Sequence, residues 1–181
     1  IALGRSNAGK LSFATLGVGS SPHLSAAAFN RAAGIDALHV PFKDQGQMVN
    51  AVASGEVDYM FISATTAAPA TKAGRARLLA YGARQRLATH PEVPTLDEAA
   101  GISVETGGWV GVFAPRGTPR EVVAKLNADI TGVLRQKDVD NRIRSLGFVP
   151  MPTSSEEFAA MVARKRQTVG ELVKSTGIRL E

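Results

Sequence analysis

The sequence has no cysteine in its 181 residues. Disulfides, zinc–thiolate sites and cysteine nucleophiles are therefore excluded. Aromatic residues are few, with seven Phe, two Tyr and one Trp. No motif for DNA or RNA accompanies them. No apolar run approaches the roughly 20 residues of a membrane span. The three histidines, His23, His39 and His90, have no metal-ligand spacing. A catalytic set is also missing, with no GxSxG elbow, no paired carboxylates and no supported Ser/His/Asp order. His90 and Asp97 read as turn residues. The start at Ile1 lacks the basic and apolar regions of a signal peptide and reads as the middle of something longer.

What is there is the composition of a globular protein, 44% hydrophobic and 20% charged. The formal net charge of +5 is scattered along the chain. Its densest basic run, Arg164-Lys165-Arg166, falls inside an expected helix and reads as a solvated face. No nucleic-acid partner is expected from it.

Strands and helices alternate in the first half. Residues 11–16, 37–42, 57–63 and 78–81 read as strands. Helices are expected at 22–33, 45–54 and 65–72, with Gly34 and Gly55 as stops. Leu24, Ala27, Ala28 and Ala32 are the expected inner face of the first helix. Such alternation implies a mostly parallel sheet with crossovers. Residues 84–101 read as a connecting surface segment with a short helix at 96–100. A strand is expected at 109–113. Thr118–Glu121 and Thr153–Glu156 have the spacing of capping boxes and open helices at 119–135 and 154–176. A short helix is expected at 138–146.

Gly4-Arg-Ser-Asn-Ala-Gly9-Lys10 matches GxxxxGK. No strand precedes it and Leu11 stands where Ser or Thr is needed, so it reads as a chance match. The stretch TLGVGSSPHLSAAAF (residues 15–29) is more informative. Gly17 and Gly19 permit close backbone approach, and Ser21 suits a helix N-cap with Pro22 after it. Free N–H groups at such a helix start, with the Ser20 and Ser21 hydroxyls, favour a carboxylate or phosphate. A plain helix cap is the competing reading. His23 is either an anion contact or a surface residue. Lys43 and the pair Ser63 and Thr65 lie at two further strand-to-helix junctions. In a parallel sheet all three share the edge where ligands bind.

Taken in order, GKLSFATLGVGSSPHL, AGIDALHVPFKDQGQMVNAVASGEVDYMF, KAGRARLLAYGARQR, HPEVPTLDEAAG, GGWVGVFAPRGTP and LGFVPMPTSSEEF resemble the tripartite tricarboxylate transporter substrate-binding family, the Bug-type solute receptors. The resemblance spans nearly the whole chain. It implies an α/β, type II periplasmic-binding-protein-like fold. One complete lobe with a mostly parallel sheet would occupy residues 11–106. Residues 107–181 would hold the return strand and C-terminal helices of the other lobe, whose N-terminal half is absent. The implied activity is periplasmic binding of a small carboxylate for a membrane permease, with no catalysis, cofactor or metal. Gly19, Ser20, Ser21 and His23 would form the loop facing the carboxylate. Lys43 falls in the family's Pro-Tyr-Lys-Gly turn, with Asp44 here in place of glycine. Family members often carry Asp-Asn where this chain has Ile62-Ser63, which favours a ligand without an amino group. The effector-sensing domain of a transcription regulator is the alternative with the same fold. An enzyme acting on an anionic substrate is a third reading. The apolar stripes of the C-terminal helices further imply a homo-oligomer through exposed helices.

Overall fold

A computed structural model of the chain describes residues 1–104 and 108–178. It is an α/β structure that separates into two compact units, residues 1–108 with 171–181, and residues 109–170. The first unit runs α1 (Ala2–Ser6), β1 (Leu11–Thr15), α2 (Ser21–Ala33), β2 (Ala37–Pro41), α3 (Gln45–Ser54), β3 (Tyr59–Met60), α4 (Ala64–Lys72) and α5 (Leu96–Ala100). Helices α6 (Arg120–Leu134), α7 (Lys137–Ser145) and α8 (Ser155–Thr176) follow.

The three strands form a parallel sheet in the order β2-β1-β3. Phe13 lies opposite both His39 and Tyr59, so these three residues form one row across it. The central strand is buried at Phe13, Ala14 and Thr15. Against it packs a core of Ala14, Met48, Ala51 and Val57, bordered by Leu16, Val40, Phe42, Val52 and Met60. Among the described residues every buried apolar side chain belongs to the first unit. Helices α6, α7 and α8 bury none of their residues.

Local chemistry explains most element ends. Gly34 and Gly55 close α2 and α3 in the left-handed conformation that glycine adopts without strain. Asp44 caps α3 by accepting the Gln47 amide at 2.9 Å. Thr95 and Glu98 form a reciprocal capping box on α5. The Thr95 amide and then Arg86 hold the Glu98 carboxyl below its usual range.

Several expectations are corrected. The third strand is only Tyr59–Met60, not 57–63. Residues 78–81 form no strand, because Tyr81 pairs with the connecting segment instead. Its amide donates to Pro94 O and its carbonyl accepts from Leu96, both at 2.8 Å. Residues 109–113 are not a strand, and Val110 and Val112 are exposed with no strand partner among the described residues. Helix α1 was not anticipated. It contains Gly4, Arg5 and Ser6 of the GxxxxGK match, so the motif starts inside a helix rather than after a strand. Thr118 does not cap α6; its hydroxyl donates to Pro115 O. The second capping box forms one residue later than expected, between Ser154 and Glu157.

The inner face of α2 is also displaced. His23, Ala26, Asn30 and Ala33 are buried, whereas Ala32 is exposed. His23 and Asn30 are inside because each has a partner there. Tyr59 Oη donates to Asn30 Oδ1 at 2.6 Å, which fastens α2 to β3. Burial pushes the Tyr59 phenol up to about 12 despite that bond.

Candidate carboxylate-binding site

The sheet is parallel, so the chain leaves β1, β2 and β3 at the same edge. Each exit leads into a helix, and the three junctions contain all the residues expected at a site.

The first junction is organised by Thr15, which is fully buried. Its Oγ1 accepts the Gly17 amide at 3.0 Å and contacts His39 Nε2 at 2.5 Å. Ser20 is the N-cap residue of α2, one position before the expected Ser21. Its hydroxyl makes no cap bond; it turns back and donates to Gly17 O at 2.7 Å. Gly19 donates its amide to His23 Nδ1 at 3.0 Å. His23 therefore lies behind the loop, 7% exposed, and Ser21 lies exposed in front. The amides of Ser21 and His23 meet no acceptor among the described residues. Pro22 between them has no N–H. An anion would complete the hydrogen bonding of these two amides, and the helix dipole favours it there.

At the second junction Lys43 is exposed, between Phe42, whose amide donates to Thr15 O at 2.8 Å, and the cap residue Asp44. At the third, Ser63 caps α4 by accepting the Thr66 amide. Its hydroxyl also contacts Thr65 Oγ1 at 3.1 Å and Thr66 Oγ1 at 2.7 Å. Thr65 and Ser63 are both exposed, and the Ser63 hydroxyl is engaged by its own helix.

The residue types are those for hydrogen bonding and charge attraction. Thr15 and His39 have the contact of a hydroxyl with its base, but Thr15 is sealed from any substrate. No group of His, Asp or Glu that could hold a metal occurs among the described residues. Sequence reasoning missed Thr15, His39 and Asp44 as builders of this edge. A threonine ending an apolar run was the available signal for Thr15. Nothing in the sequence linked His23 to His39, which are 16 positions apart.

Known proteins share this sequence pattern and fold. The family model for the tripartite tricarboxylate transporter family receptor matches residues 1–178. A protein of Pseudomonas sp. strain P51, from the tcbD-tcbE intergenic region, is 42% identical over 145 residues, covering 80% of this chain and 43% of its own. Rpa4515 of R. palustris, solved with adipate, superposes with a TM-score of 0.84 at 29% identity. That match covers 98% of this chain and 59% of the other. MatC of Rhodopseudomonas palustris, solved with malate, gives a TM-score of 0.68 at 36% identity, covering 93% and 56%. The chain thus spans about half the length of such relatives. With a parallel α/β unit of this kind and a family match over nearly its full length, the chain belongs to the tripartite tricarboxylate transporter receptor family.

Proposed function

We propose that this chain captures a small carboxylate without an amino group, in the periplasm, for delivery to a membrane permease. It performs no catalysis in this reading. The observation that carries the proposal is the pair of amides at Ser21 and His23 without an acceptor among the described residues, on an edge shared with Lys43 and Thr65. The adipate and malate held by two solved relatives support that chemistry. The side chain of Asp44 is engaged as a helix cap, and Asp58 binds Ser12 at the other end of β1. Asp58 is thus held away from this edge, and Asp44 Oδ1 is committed to the Gln47 amide. The family match favours a receptor over the effector-sensing alternative.

Isothermal titration of the chain with adipate and with malate tests this. Saturable binding of at least one is expected. Ser20→Ala and Ser21→Ala should each weaken it by about threefold to tenfold, the value of one hydrogen bond. No heat from either acid, or unchanged affinity in both variants, refutes the reading.

A second copy of the chain is the proposed cover for the exposed apolar residues Val110, Val112 and Phe113 and the helices beyond them. The extra length of the relatives is the other candidate cover. Sedimentation velocity is expected to show concentration-dependent association. A monomer at every concentration overturns it.

A further inference from the structure

We propose that His23 and His39 are positioning residues, a neutral face-to-face pair beneath the loop that holds Gly17 and Gly19 so that the Ser21 and His23 amides face outward. The role in binding rests on the carboxylate reading above; the structural role does not.

The two rings are 4.2 Å apart at their centroids and within 8° of parallel. Phe13 stacks against both, at 5.3 Å from His39 and 6.2 Å from His23. The loop's two glycines end on this cluster. The Gly19 amide is held by His23 Nδ1, and the Gly17 amide by the hydroxyl that His39 contacts. An acceptor at Nδ1 requires that this nitrogen carry no proton, so neutral His23 bears its hydrogen on Nε2. Protonation would turn Nδ1 into a donor facing a donor, and Gly19 would lose its anchor.

The surroundings oppose protonation. Strand β1 contributes Phe13 and Thr15 and has no ionisable residue. Strand β2 contributes only His39, and α3 has no ionisable residue. Strand β3 contributes Tyr59, which lies on Phe13 with its hydroxyl on Asn30. The other charge on α2 is Arg31 in its last turn. No carboxylate on these elements faces the pair. Burial lowers the affinity of both imidazoles for a proton, and His39 lowers that of His23 further. For a base whose folded value lies below its unfolded one, the unfolded state binds more protons. The pair's support is therefore complete above the ordinary imidazole value of 6.5 and is lost as pH falls through the lowered values.

The test is NMR on the nitrogen-15-labelled chain. Long-range proton–nitrogen spectra should find His23 protonated on Nε2 at neutral pH. The Gly19 amide should shift with the midpoint of the His23 ring, below 6.5. In His23→Asn, whose Oδ1 can replace Nδ1 as acceptor, that shift should vanish. At neutral pH His23→Asn should keep adipate affinity within about threefold, and His23→Phe should weaken it by up to about tenfold. A proton on Nδ1 of neutral His23, or a Gly19 amide indifferent to the His23 titration, overturns the proposal. Equal affinity in the Asn and Phe variants overturns its role in binding. If adipate and malate do not bind the wild type, the carboxylate reading fails and the spectra alone decide on the pair.

Discussion

Replacing Met48 with alanine is expected to destabilise the first unit by about 2–5 kcal/mol, the range for truncating a long apolar side chain in a packed core. Met48 is 0% exposed and is the largest of the fully buried side chains. Its neighbours Ala14 and Ala51 are small and carried on a central strand and a helix, so they cannot extend into the space left. The cavity persists and its lining loses contacts. With a urea dependence of about 1–3 kcal/mol per molar, the midpoint should fall by at least about 0.7 M. Tyr59 and Tyr81 both lie in the first unit, whereas the one Trp, Trp109, begins the second. Tyrosine near-UV signals therefore report the affected unit separately. An unchanged tyrosine midpoint would show that Met48 is not the centre of this core.

Gly17→Ala should cause a different loss. The Gly17 φ is +104°, where an L residue is strained, and nothing lies within 4 Å of an added Cβ. The cost is thus backbone strain, about 1–3 kcal/mol, rather than a clash. Relief of that strain would move the amide off Thr15 and the carbonyl off Ser20. Adipate or malate affinity should fall by about tenfold or more, equivalent to about 1.4 kcal/mol. Met48→Ala serves as the control, because it weakens the core and replaces no residue of the junctions. Below its urea midpoint it should bind like the wild type. If Gly17→Ala binds normally, or both variants lose binding alike, the loop geometry is not what the ligand reads.

The sequence by itself determined the order of elements from β1 to α4. The period-2 and period-3.6 patterns, together with Gly34, Gly55 and the Ser-Pro junction, are local signals, and helix and strand formation there follows them. The parallel sheet was legible for the same reason, since short strands separated by helices leave few other connections. The three junctions on one edge followed from that topology. Tertiary structure decided the rest. The expected strand at 78–81 became a single bridge because the Thr95 segment offered Tyr81 its hydrogen bonds, a choice no local pattern encodes. The buried face of α2 was misread because hydrophobicity places polar residues outside. His23 and Asn30 are inside because Gly19 and Tyr59, on other elements, satisfy them. Ser20 and His23 were both legible as candidates for the site, but not as parts of the loop's frame. Which polar atom faces a ligand and which faces the protein depends on partners brought together from distant positions, Thr15 and His39 among them, and only the folded chain brings them within reach.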